Sequence, residues 1–166
     1  LSGLIKLNKT LLLLSKIENG QFLQTSEVDM NTLAADSIAL HQEIYGHKNI
    51  KADVKGEERF ILKSDEQMAS VLIGNLVKNA FLYTPEGGSI EIQMSRTGFS
   101  ISNDGNAPLD KEKVFRRFYQ PSGRREGATG LGLALVYSVC INNGLDITYD
   151  YADGRHIFSI ILKKSK

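Results

Sequence analysis

The chain has 166 residues, with 20 Lys and Arg against 19 Asp and Glu for a net charge of +1, and 23% of its residues are charged. That length suits one ordinary domain burying about 70% of its unfolded surface, plus a short appendage. The balanced charge argues against nucleic acid, an acidic partner or an anionic membrane as a target of the whole surface, so any anion site must be local.

Leu4, Leu7, Leu11 and Leu14 follow the 3-4-3 spacing of a helical seam, with Lys6, Lys9 and Lys16 mostly off it, until Asn19-Gly20 ends the helix. The Leu11–Leu14 run is too short to cross a bilayer and is bracketed by lysines, so it is neither a span nor a signal peptide. The chain starts at Leu1 without an initiator methionine, as an excised piece would. Phe22 to Val28 reads as a short strand leading to Asp29, which caps a helix from Met30 to about Tyr45 with Leu33, Ala34, Ser37, Ile38, Leu40, His41 and Ile44 inward. Gly46 breaks it. Ile50 to Val54 and Arg59 to Leu62 are two further strands.

Met68 to Pro85 is a helix-length run with Asp65 as N-cap and Pro85-Glu86-Gly87-Gly88 as stop. Asn75 and Asn79 stand one turn apart at the edge of its apolar arc. An i, i+4 pair of amides can hold a hydrated magnesium ion and bond phosphate; satisfied amides at a core boundary are the alternative. Ser89 to Ser95 and Phe99 to Ile101 alternate at period two across Thr97-Gly98, which predicts a hairpin. Asn103-Asp104-Gly105-Asn106-Ala107-Pro108 follows, where an amide or carboxylate can accept from an exocyclic amine and Gly105 admits a flat ring.

Asp110 to Tyr119 reads as a short helix, Gln120 to Gly127 as a loop holding Arg124 and Arg125, and Gly130 to Asn143 as a second long helix. Thr129-Gly130-Leu131-Gly132 at its start offers free N–H groups and a positive dipole end to phosphate, without the third glycine of a dinucleotide fingerprint. Cys140 lies inside this helix; a lone cysteine excludes an internal disulfide and weakly favours a reducing compartment, and no Cys/His spacing suits zinc. Leu145 to Tyr151 and His156 to Lys163 pair across Ala152-Asp153-Gly154. The predicted class is α+β: a two-layer α/β sandwich, its mixed and mostly antiparallel sheet carrying about three helices on one face, after one long N-terminal helix.

In this order the pieces resemble the catalytic and ATP-binding domain of sensor histidine kinases, over nearly the whole chain. Asn75-Leu76-Val77-Lys78-Asn79-Ala80 is similar to the N box, and Ile101 to Ala107 to the first glycine box. Val114-Phe115-Arg116-Arg117-Phe118-Tyr119 is similar to the F box, and Gly127 to Val136 to the second glycine box. Leu4 to Phe22 resembles the second helix of the dimerisation domain, so the expected division is 1–22 and 23–166.

The resemblance implies ATP and Mg2+ as cofactors, with Asn79 and Asn75 on the metal, Tyr83 against the adenine, and Asn103, Asp104, Gly105, Thr129, Gly130, Leu131 and Gly132 around the nucleotide. Asn103 stands where the family has an adenine-reading aspartate, and Asp104 is the alternative if the register slips by one. Ala107, Leu82 and Gln120 depart from the family pattern, and Arg124 and Arg125 are candidate substitutes for the lost phosphate contacts. None of His41, His47 and His156 is followed by an acidic residue, as the family's phosphoacceptor is. The resemblance therefore implies a kinase half whose acceptor histidine lies outside this chain, with a response-regulator receiver domain as partner and a homodimer when full length. It also implies the cytoplasmic portion of an inner-membrane sensor. A degenerate docking module without kinase activity is the alternative. A gyrase- or chaperone-type ATPase would need a general-base glutamate where Val71, Leu72 and Asn75 stand.

Overall fold

In the computed structural model, residues 2–21, 24–121 and 128–164 are described. The elements in chain order are α1 (Ser2–Glu18), β1 (Ser26–Asp29), α2 (Met30–Ile44), β2 (Lys51–Lys55), β3 (Ile61–Ser64), α3 (Glu66–Tyr83), β4 (Ser89–Ser95), β5 (Gly98–Asp104), α4 (Gly132–Asn142), β6 (Leu145–Ala152) and β7 (Arg155–Leu162).

Both carboxylate caps form as the sequence dictates. Asp29 Oδ1 accepts from Asn31 N at 3.0 Å and Thr32 N at 3.2 Å, and Asp65 Oδ1 accepts from Gln67 N at 2.8 Å and Met68 N at 3.2 Å. Each satisfies amides that the first helical turn leaves without partners. At the other end of α3, the Lys48 ammonium donates to the carbonyls of Phe81 at 2.7 Å and Leu82 at 3.1 Å, a favourable charge for a helix C-terminus. Both ends of the asparagine-bearing helix are thereby fixed.

The main sheet has the order β2-β4-β5-β7-β6, with β2 parallel to β4 and every other pair antiparallel; β1 and β3 form a separate two-stranded ladder. Period-two alternation turns Ile90, Ile92, Met94, Phe99, Ile101, Phe158 and Ile160 into one buried face. Against it lie Met68, Leu72, Ile73, Leu76 and Val77 of α3, Val136 and Val139 of α4, and Ala34 and Ile38 of α2. The result is the two-layer sandwich with three helices over one face of a mixed sheet, preceded by α1, that the sequence predicts.

Four local readings change. The strand expected over 22–28 begins at Ser26, and its Phe22 and Leu23 lie outside the described residues. Leu40 and Ile44 are exposed, because the inner stripe of α2 narrows to Met30, Ala34, Ile38 and His41. The helix expected over 110–119 is a series of turns. Val114 N reaches Asp110 O at 2.9 Å, but Phe118 N donates to Gly130 O at 2.7 Å instead of continuing the helical ladder, and Phe118 sits at φ +63. Finally, α4 begins at Gly132, not Gly130, since Gly130 holds φ +74.

A candidate nucleotide site between two helices and the sheet

A cavity of about 580 Å3 opens between α3, the start of α4 and the ends of β5 and β7. Its lining includes Asn75, Asn79 and Tyr83 from α3, Asn103 from β5, Gly105 just after it, and Thr129, Gly130 and Gly132 before and at the start of α4. These positions were singled out along more than fifty residues of sequence, and the fold brings them to one space. Leu131 is fully buried and stands outside the lining, as does Asp104. Arg124 and Arg125 lie outside the described residues.

Asn75 Nδ2 donates to Val71 O at 2.8 Å, which leaves its Oδ1 as the available acceptor, and that oxygen lies 3.2 Å from where a Cβ on Gly132 would stand. Asn75 thus spans from α3 to the first residue of α4, and a larger residue at 132 would press on it. The start of α4 has no side-chain cap, while Leu131 N is satisfied by Thr129 Oγ1 at 3.2 Å. The first free amides of α4 are therefore available to an anion, at the positive end of the helix dipole. Gly130 is required where it is, because besides its positive φ a Cβ there would come within 2.6 Å of Phe118 Cα.

β5 turns Asn103 and Asp104 to opposite faces. Asn103 shares the inward row with Phe99 and Ile101 and is only 3% exposed, whereas Asp104 points to the other face. There its Oδ2 accepts from Ser89 N at 2.7 Å and Ser89 Oγ at 3.2 Å, and its Oδ1 pairs with Arg155 Nη1 at 2.6 Å. Arg155 also donates to Ser102 O at 3.1 Å. Asp104 is a clamp across β4, β5 and β7, while the Asn103 amide reaches the cavity with Nδ2 donating to Asp104 O at 3.1 Å.

Among the lining residues outside the sequence-predicted site, three are titratable: Lys78, Tyr119 and His156. Burial, and secondarily the Lys6 charge on α1, hold the Lys78 pKa below its ordinary range. Tyr119 is fixed by accepting from Asp110 N at 3.1 Å. His156 was read only as a strand position; its signal was the alternation of β7, which places it beside Phe158 on the inward face. Burial lowers its pKa as well. Elsewhere in the core, burial pushes the Cys140 thiol up to about 12, with Asp146 adding to the rise, so it is an inert packing residue.

Magnesium can be tested against these atoms. Among the described residues no group of three His, Cys, Asp or Glu converges, so a protein-only cation cage is absent there. Amide oxygens from Asn75 and Asn79, completed by water and phosphate oxygens, fit an ion that retains much of its hydration and arrives with a nucleotide.

A three-helix layer over a mixed sheet, with paired asparagines facing a glycine-opened helix across a cavity, defines a nucleotide-binding domain of the ATPase type. The chain belongs to the histidine kinase-, DNA gyrase B-, and HSP90-like ATPase family, which it matches over residues 64–166. The heme sensor protein HssS of Staphylococcus epidermidis is 33% identical over 140 residues, covering 81% of this chain and 31% of that protein. The structure of the Acinetobacter baumannii histidine kinase AdeS superposes with a TM-score of 0.78 at 20% identity, covering 99% of this chain and 80% of that one. The histidine kinase ThkA, solved in complex with the response regulator protein TrrA, gives 0.74 at 24% identity, covering 99% and 48%. The chain spans about a third of the length of the curated relatives it matches.

Proposed function

We propose that this chain binds Mg-ATP in the cavity between α3 and α4 and that, in the whole protein, it presents the γ-phosphoryl to a histidine for relay to a response-regulator aspartate. The observation that carries the proposal is the convergence of Asn75, Asn79, Tyr83, Asn103, Gly105, Thr129, Gly130 and Gly132 on one cavity. In this reading Tyr83 packs against the base, Asn103 accepts from its exocyclic amine, Asn79 and Asn75 hold the metal and phosphates, and the free amides of α4 take the phosphate tail. Bound magnesium supplies charge neutralisation between the phosphates. The chain's own contribution is position and charge, and the positively charged groups include Lys78 and, from the loop, Arg124 and Arg125.

None of the three histidines serves as acceptor in this reading. His41 Nδ1 donates to Ser37 O at 2.7 Å within α2, His47 lies in a 3-10 turn, and His156 is part of the cavity wall. Residues 1–22 are proposed to belong to a dimerisation domain carrying the acceptor, with 23–166 as the catalytic domain of a homodimeric sensor on the cytoplasmic side of a membrane. No helix among the described residues is long and apolar enough to cross that membrane. The response-regulator partner is supported by the ThkA relative, which was solved with one.

One observation favours a second reading, a docking module that has lost tight ATP binding: Lys78 is the one lysine or arginine among the described lining residues. Calorimetric titration with a non-hydrolysable ATP analogue and magnesium separates the two. Magnesium-dependent binding that Asn79→Ala abolishes is the expected result; absence of binding by the wild type at millimolar nucleotide selects the docking module.

A further inference from the structure

The floor of the cavity holds a polar pair of which Asn103 belongs to the glycine-box motif and His156 to none of the motifs. Asn103 on β5 and His156 on β7 are directly opposed cross-strand partners, both on the inward face, 3% and 8% exposed. They are neighbours in the same row as the apolar pair Ile101 and Phe158. A buried polar pair in such a row requires partners for its polar atoms.

Hydrogen-bond accounting fixes the form of the imidazole. Tyr149 Oη accepts from Leu109 N at 2.9 Å and lies 2.7 Å from His156 Nδ1. The hydroxyl proton needs an acceptor, and Nδ1 is the group in reach, so Nδ1 is unprotonated and Nε2 carries the hydrogen. Tyr151 donates to Gly105 O at 2.8 Å, and its ring centroid stands 5.2 Å from that of His156, with Tyr149 at 5.9 Å on the same imidazole. Gly105 closes over the imidazole so tightly that a Cβ there would come within 2.1 Å of Nε2. The ring is therefore wedged in one orientation, neutral by burial, and its Nε2–H has no protein acceptor among the described residues. On the facing strand, Asn103 Nδ2 is spent on Asp104 O, which leaves Oδ1 as an acceptor.

We infer that His156 is a base-reading residue: its Nε2–H donates to a ring nitrogen of the adenine whose exocyclic amine is accepted by Asn103 Oδ1. An acceptor beside a donor is the complement of an adenine edge, where an amine hydrogen adjoins an unprotonated ring nitrogen. The inference rests on the ATP reading of the cavity, and it gives the uncharged Asn103 a neutral partner that shares recognition of the base. Tyr149 is the positioning residue, since it selects the tautomer that donates.

The test uses ADP, 1-deaza-ADP and 7-deaza-ADP with magnesium, titrated calorimetrically into the wild type and into His156→Phe. The wild type is expected to bind one deaza analogue about tenfold more weakly than ADP, the size of one lost hydrogen bond. In His156→Phe, ADP weakens to the level of that analogue and the preference disappears. Should the variant keep the preference, or should the wild type bind all three equally, the assignment of His156 is overturned while the ATP site stands. Failure of the wild type to bind ADP at all overturns both readings. A second measurement needs no variant. Imidazole 15N resonances of the wild type are expected to show an unprotonated Nδ1 and an Nε2–H that moves with ADP but not with tripolyphosphate; a proton on Nδ1 sinks the inference.

Discussion

In the proposed function, Lys78 trades stability for binding. It lies half-buried on α3 between the two asparagines, where burial and the neighbouring Lys6 lower its pKa. A lysine whose folded pKa is lowered is harder to charge in the folded chain than in the unfolded one. Below the folded pKa that difference opposes folding, and it fades only as pH rises from there toward the unfolded value of about 10.4. What offsets it in the proposed function is a phosphate. Lys78→Met keeps most of the length of the side chain and removes the charge, so it is expected to raise the thermal midpoint of the nucleotide-free protein while weakening ADP about tenfold. Scanning calorimetry with and without ADP reads both effects, and a variant that loses stability and keeps affinity contradicts the assignment. Neither Lys78 nor His156 stood out in the sequence as a site residue. Lysine beside an asparagine on a helix edge has the look of a solvated face, and the partnership of His156 with Asn103 depends on a register between strands some fifty residues apart, which no local pattern encodes.

Among the elements, the β4–β5–β7 ladder depends on the Asp104–Arg155–Ser89 clamp, which lies on the face away from the cavity. Arg155 is a quarter exposed and Asp104 somewhat more, so the charge term is screened, but the clamp also satisfies Ser89 N and Ser102 O. Asp104→Ala is expected to cost about 1–2 kcal/mol, seen as a Tm lower by roughly 5 °C, while Asn103→Ala weakens ADP and barely moves Tm. The reverse assignment of effects would mean that Asp104 is the base contact after all. Elements bounded by strong local chemistry were legible: Asp29 and Asp65 marked the starts of α2 and α3, alternation marked β4 and β5, and the Ala152-Asp153-Gly154 turn marked the pairing of β6 with β7. The segment 110–119 was not, because its helical periodicity is real but the Phe118 amide bonds to Gly130, twelve residues away. That bond uses the amide that a continuing helix would have needed.

For the whole molecule, the parallel pairing of β2 with β4 and the separate β1–β3 ladder are contacts that the sequence's local patterns leave open, and α1 poses the same problem on a larger scale. The Leu seam predicted a helix, and the helix is there, but it is fully buried against the sandwich only along its C-terminal part. Leu14 and Ile17 are buried to 1% exposure, and Glu18 pairs with Arg117, while Leu4, Ile5 and Leu12 remain exposed. A 17-residue helix without a packed face is marginal in water, so the first half of α1 has little beyond its own hydrogen bonds to hold it. The exposed stripe is the face that a dimerisation partner would cover in the proposed full-length protein. Hydrogen exchange on this chain alone is therefore expected to divide α1, with amides before Leu11 exchanging near the rate of an open chain and those from Ser15 to Glu18 protected with α4. Leu14→Ala should cost about 2–4 kcal/mol in urea unfolding, and Leu4→Ala less than about 0.5 kcal/mol. Uniform protection along α1, with an equal cost at Leu4, would show that this stripe is already covered by a second copy of the chain.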